Sequence, residues 1–338
     1  MLRGRIMKAR SKRLILLAVL LFLFVSGFLL SLLEGPVETN VGDLFDFLFH
    51  NLHDETLRKI FIDLRLSRAL LAFLVGASLS LSGAILQGYF QNPMAGPFVV
   101  GVSSGASFGA VLCIYLGLNL RFLGFSLQSA FAFASGFAIV FLVYLLSQKK
   151  GIFKMETLLL TGIAAGALAS ALTSFLIFFK SESYQEAVFW LLGSFRYSDW
   201  NQVTAMLPYF LLCFIVAQWL AKDMNLLVQG DDIAQSLGSP VNRVRKTFLV
   251  VSTMLAASSV SVSGIIGFIG LVVPHWIRIL IGPDHRHLFF FSSLTGGIFL
   301  VYSDFIARTL LSPSELPIGI ITAAVGAPFF IYLLSQRR

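Results

Sequence analysis

The chain is dominated by a succession of apolar runs, each about as long as a membrane-crossing helix and separated by short breakers. They fall at residues 14–33, 69–90, 98–118, 127–146, 157–179, 203–220, 247–263, 265–281, 288–307 and 318–334. An α-helix needs roughly 20 apolar residues to cross the hydrocarbon core, where every backbone polar group must be satisfied within the protein. Composition agrees, because 57% of the 338 residues are hydrophobic and 12% charged, about half the charged share of a soluble domain. A soluble enzyme is excluded. The 34 Phe suit lipid-facing surfaces and the 28 Gly suit close helix contact, so neither asks for a catalytic role.

The fold class expected is therefore an all-α integral membrane protein of about ten transmembrane helices, a single domain over 1–338. The polar stretch 34–63 carries Leu44, Phe47 and Leu48 at helical spacing and reads as an interfacial helix. The first run follows Arg3, Arg5, Lys8, Arg10, Lys12 and Arg13, as a signal sequence would, but it is long and has no small-residue cleavage site before Glu34. It reads as a retained first span. Cys113 and Cys213 lie within apolar runs without metal-ligand spacing, which makes them small buried side chains.

The net charge of +8 sits at the ends of apolar runs, a pattern of membrane topology rather than of nucleic-acid binding. With the head in the cytoplasm, about two thirds of the Lys and Arg fall on that side, including Lys149, Lys150, Lys154, Lys222, Arg243, Arg245, Lys246, Arg278, Arg286, Arg337 and Arg338. Arg58, Lys59, Arg65, Arg68, Arg121, Lys180, Arg196 and Arg308 fall outside. Both termini are expected to be cytoplasmic.

An internal repeat accompanies this layout. Residues 77–85 read ASLSLSGAI and residues 258–266 read SSVSVSGII, and the same offset superimposes Pro93 on Pro274 and Gly101 on Gly282. Two structurally repeated halves, inverted in the membrane plane, would be a transporter architecture; a coincidence of Ser/Gly-rich helices is the other reading.

Metalloprotease, dithiol and P-loop motifs are missing: there is no HExxH, CxxC or GxxxxGK[ST], so any ATP drive must come from a partner. No cofactor or metal site is indicated. The longest cytoplasmic loop, 222–246, contains QGDDIAQSLGSP. Asp231 stands where a short helix takes its N-cap, and Gly238 with Pro240 ends it. Such a helix can press on a partner as a rigid lever, or be an ordinary solvated turn. Asp304 and Arg308, four apart, either pair locally or serve a proton relay. His275 and Arg278 follow an expected break at Pro274. Arg65, Arg68 and Arg308 stand at outer ends of spans, either snorkelling or docking an acidic protein.

Four stretches together resemble the FecCD family, the permease subunits of iron-siderophore, haem and cobalamin ABC importers. They are residues 65–106 (RLSRALLAFLVGASLSLSGAILQGYFQNPMAGPFVVGVSSGA), 229–238 with its SLG, 267–286 (GFIGLVVPHWIRILIGPDHR) and 303–334 (SDFIARTLLSPSELPIGIITAAVGAPFFIYLL). The resemblance implies a homodimer in a prokaryotic plasma membrane, with an axial pathway for a metal chelate, a ferric one favoured. It also implies two ATP-binding cassette subunits below, and a periplasmic or lipid-anchored substrate-binding protein above. Arg65, Arg68 and Arg308 would dock that protein. Asp231, Asp232, Ala234, Ser236, Leu237 and Gly238 would form the coupling helix, a degenerate version of an acidic-Ala-Ala...Gly signature. Asn92, Pro93, Met94 and Ala95 with Lys154, Met155 and Glu156 would line the cytoplasmic gate. Met94 replaces the usual Leu, and Glu156 sets a charge where small polar residues can occur. The rival reading is an ion-gradient-driven secondary transporter, for which Asp304 is the placed acidic residue; a channel or scaffold without energy coupling is a third.

Overall fold

The computed structural model describes residues 2–35, 37, 39–49, 54–118, 120–122, 125–149, 152–153, 155–180 and 184–335. Lys150, Lys154, Arg337 and Arg338, used in the charge and gate readings, lie outside the described residues. The regular structure of the described residues is helical apart from two antiparallel pairs of two-residue strands, Arg121–Phe122 with Phe125–Ser126 and Gln148–Lys149 with Ile152–Phe153.

Long helix α1 (Leu2–Leu33) is followed by α2 (Val41–Phe49) and α3 (Glu55–Lys59), then a π-helical segment Ile60–Leu66 that runs without a break into α4 (Ser67–Tyr89). Within the stretch 34–63, Leu44, Phe47 and Leu48 lie on helix α2. Its Leu44 is buried with Leu32 and Phe61, and Phe47 stacks on Phe61 at 5.0 Å, so α2 covers the end of α1. The remaining helices are α5 (Val102–Leu116), α6 (Leu127–Leu146), α7 (Met155–Phe179), α8 (Tyr184–Leu191), α9 (Trp200–Trp219), α10 (Ala221–Leu227), α11 (Asp231–Ser236), α12 (Val241–Ser263), α13 (Ile269–Ile281), α14 (His285–Thr309) and α15 (Ile318–Ser335).

Among the described residues, seven helices are long and apolar enough to cross a membrane, and three apolar helices are shorter. The runs 98–118 and 265–281 thus overstate their helices. Residues 98–101 are turns ending at Gly101 (φ +87), and 264–268 are irregular, with Gly264 at φ +70 and Phe268 at φ +67. At about 1.5 Å per residue, α5 and α13 span only about 20 Å of a core about 30 Å thick. The break expected at Pro274 is not there, since Pro274 lies inside α13.

The repeat also resolves differently from its sequence register. Both α4 and α12 have 23 residues, and each is followed by a short helix, of 15 and 13 residues. Residues 77–85 lie wholly within α4, whereas 258–266 run off the end of α12 at Gly264. The matching letters therefore do not mark matching helix positions.

Helix α4 is the central shaft, with 89% of its membrane window buried, against 17% for α1 and 22% for α6 and α7. Its glycines set the spacing. A Cβ on Gly83 would lie 1.7 Å from the carbonyl oxygen of Gly270 on α13, and one on Gly76 would lie 2.2 Å from that of Gly296 on α14. The serines that let α12 be buried donate to their own helix, as Ser259 Oγ does to Leu255 O at 2.7 Å. We expect Gly83→Val to cost at least about 3 kcal/mol, because backbone cannot rotate away. Gly267→Val, where nothing lies within 4 Å, should be tolerated. Equal melting temperatures of the two variants in detergent would refute close packing between α4 and α13.

Candidate functional site

The two ends of α4 lie roughly 34 Å apart by helical rise, and each gathers a distinct set of side chains. At its start, Arg65 projects from the π-helical turn. Such a turn is uncommon and re-aims side chains relative to an α-helix. The Arg65 guanidinium lies over Phe61 at 5.5 Å and donates to the carbonyls of Leu32, Leu33 (2.9 Å) and Val37 (2.5 Å) and to Thr39 Oγ1 (2.7 Å). Arg308, in the last turn of α14, donates to Glu34 O (2.7 Å), Ser31 O (2.8 Å) and Ser31 Oγ (2.7 Å). The last carbonyls of a helix have no partner within it and carry its negative dipole end. Two arginines from other helices thus cap α1.

Arg68 is engaged differently. Its Nε and Nη2 meet Asp304 at 2.9–3.1 Å, and its Nη1 and Nη2 meet Glu315 Oε1 and Oε2 at 3.1 Å each. Asp304 also lies 3.5 Å from Arg308 Nε. The local Asp304–Arg308 pair expected from spacing is therefore present, but Arg68 is the closer partner of Asp304. Arg65 and Arg308 are buried, and neither is a snorkelling side chain.

At the other end of α4 stand α10 and α11. Helix α11 lies between Gly230 (φ +120) and Gly238 (φ +84), so two left-handed residues set it off as a separate rigid element. Ala234 faces inward, while Asp232, Ile233, Ser236 and Leu237 are exposed. Ile233 and Leu237, one turn apart, offer apolar surface on an aqueous loop. Asp231 is not the N-cap that its position suggested. Gly230 takes that place, and the Asp231 carboxylate pairs with Arg245 at 2.5 Å. A mostly buried guanidinium needs a counter-charge more than the helix needs a side-chain cap. Arg245 in turn lies over the ring of Tyr89 at 5.4 Å, the last residue of α4. Ser239 Oγ bonds Asp223 Oδ1 at 2.7 Å and closes the loop onto α10.

The turn after α4 is ordered by its own side chains. Asn92 Oδ1 accepts from Met94 N at 2.9 Å, and Gln91 Nε2 donates to Leu227 O on α10 at 2.9 Å. Asn92 is exposed, Pro93 and Met94 half-buried and Ala95 buried. Met155 packs against the apolar cluster that contains Ala95 and Leu158, and Glu156 is exposed at the start of α7. The described gate candidates, Asn92, Pro93, Met94, Ala95, Met155 and Glu156, thus share one end of the bundle.

Sequence reasoning missed Glu315, Arg245 and a network beside α10. There Asp284 N-caps α14, pairs with Arg286 at 2.7 Å and accepts from Asn225 Nδ2 at 2.8 Å. The Arg286 bond is the main reason the Asp284 carboxyl sits well below the usual carboxylate range. A depressed folded value means that the contribution is present above the unfolded carboxylate range and is lost as pH falls. Asp284→Ala should cost about 1 kcal/mol near neutral pH, with the gap to the parent closing below about pH 4. Melting curves across pH check this, and a gap that widens in acid would refute it.

These features define a class: a multi-pass membrane subunit with an exposed short helix at one end and a buried arginine–carboxylate cluster at the other. The FecCD transport family model matches residues 19–336. The cobalamin import system permease BtuC of Halobacterium salinarum is 45% identical over 84% of this chain and 75% of its own length. The iron(3+)-hydroxamate import permease FhuG of Bacillus subtilis is 35% identical over 97% of this chain and 98% of its own. A solved inward-facing ABC transporter, assigned to the metal-chelate type, superposes with a TM-score of 0.84 at 34% identity, covering 95% of this chain and 99% of that one. The chain belongs to the FecCD transport family. It is a multi-pass plasma-membrane permease subunit of an ABC importer, without an ATPase site of its own.

Proposed function

We propose that two copies of this chain enclose an axial pathway for a metal chelate, of the ferric siderophore, haem or cobalamin kind. The chain would cross the membrane ten times, the three short helices included, with both termini cytoplasmic, as the distribution of Lys and Arg favours. Residues 222–246 form the cytoplasmic coupling loop: α11 enters a groove on an ATP-binding cassette subunit with Ile233 and Leu237 foremost. A substrate-binding protein docks at the opposite end, where Arg65, Arg68 and Arg308 gather. Asn92, Pro93, Met94, Met155 and Glu156 border the inner gate. The observation that carries the reading is the single buried helix joining arginine cluster and lever, which lets two partners on opposite faces act on one pathway.

The ion-gradient alternative is disfavoured by Asp304. The acidic group such a carrier would use is committed to Arg68 and Arg308. Two cargo readings remain alive on specific grounds, cobalamin from the 45% identical relative and a ferric chelate from the near full-length match to the hydroxamate permease. Reconstitution with the cognate ATPase and binding protein, offered each labelled chelate, tests all of this. Uptake should require all components and ATP. Accumulation by the permease alone under an ion gradient would overturn the proposal.

A further inference from the structure

The three arginines at the start of α4 differ in what their guanidiniums hold. Those of Arg65 and Arg308 donate mainly to backbone carbonyls at and just beyond the end of α1, acceptors that cannot leave without unwinding it. Arg68 is held by carboxylates, and its two carboxylate partners are unlike. Asp304 stands on buried helix α14 with its side chain 2% exposed, whereas Glu315 stands on the loop before α15 and is 16% exposed. Residues 310–314 of that loop are exposed. Glu315 meets Arg68 through two parallel contacts, Nη1 to Oε1 and Nη2 to Oε2, the fork geometry that an incoming carboxylate would also adopt.

We propose that Glu315 is a built-in stand-in: it fills the carboxylate site on Arg68 until an acidic side chain of the docked protein displaces it. The inference rests on the docking reading above. Exchange of one carboxylate for another keeps Arg68 neutralised throughout, so no buried charge is stranded. Displacement also reaches the pathway. Three residues after Glu315, Ile318 N donates to Gly193 O at 3.1 Å and Gly319 N to Leu192 O at 3.2 Å, just past the end of α8. Ser194 N donates in turn to Ser263 O at 2.8 Å, at the end of α12. Freeing Glu315 loosens the segment that ties α15 to α8.

The test is the affinity of the cognate binding protein for the permease–ATPase complex in nanodiscs. Glu315→Gln should tighten it about fivefold to tenfold, mainly through slower dissociation. Glu34→Gln removes a charge from the same end, on an exposed residue, without vacating Arg68; it should change affinity less than about twofold. In an Arg68→Ala background, Glu315→Gln should bring no gain. Should Glu315→Gln fail to assemble, Glu315→Asp, too short to reach Arg68 with both oxygens, is expected to tighten binding likewise. Unchanged or weaker binding by an assembled Glu315 variant, with Arg68→Ala still abolishing it, removes the stand-in and leaves docking intact. Full binding by Arg68→Ala removes both.

Discussion

Arg68→Glu is expected to abolish binding-protein-dependent uptake. The substitution withdraws the guanidinium that can receive a partner carboxylate and sets a third carboxylate beside Asp304 and Glu315, which lie at 2.9 and 3.1 Å from Arg68. Breaking a buried ion pair this way costs roughly 3–5 kcal/mol, so the loss must be separated from misfolding. Arg68→Lys does so. Lysine keeps the charge but cannot bridge two carboxylates with a planar fork, and it should leave an assembled transporter with uptake down about tenfold. Arg65→Ala and Arg308→Ala should act otherwise. They uncap α1, lowering melting temperature by an amount that corresponds to about 1–3 kcal/mol, and whatever survives should still bind the partner. An assembled Arg68→Glu variant with full uptake would remove the docking role.

The second large effect is expected at Gly238. Its φ of +84 is a left-handed conformation, and a Cβ there would meet nothing within 4 Å. A side chain therefore fits, yet a non-glycine residue pays about 1–2 kcal/mol to hold that backbone, least when it is Asn and most when it is β-branched. Gly238→Val should tilt α11 and uncouple ATP hydrolysis from transport, while Gly238→Asn retains coupling. Loss of coupling in both would assign the effect to bulk at the partner groove. Intact coupling in Gly238→Val would sink the lever itself.

What the sequence revealed depended on scale. Long apolar runs such as those of α6 and α7 were legible because hydropathy alone decides them. The truncation of α5 and α13 was not, since the letters at Gly101 and Phe268 do not announce a positive φ, and a proline inside α13 looked like a break. The three arginines were legible through family resemblance, but their division into clamps and a carboxylate site was not. It arises from the π-helical turn and from the end of α1, both products of tertiary packing. Arg245 was indistinguishable from its neighbours Arg243 and Lys246 until Tyr89 and Asp231 were seen beside it. Glu315 stood only as one letter within the stretch 303–334.

The unbroken helix from the π-helical turn to Tyr89 has one consequence that neither surface shows by itself. If nucleotide state at the lever alters how firmly the arginine end holds its guest, the guest must alter nucleotide affinity by the same factor, because equilibrium coupling is reciprocal. A docked protein should therefore shift ATP binding in the complex as strongly as ATP shifts docking, and each titration predicts the other.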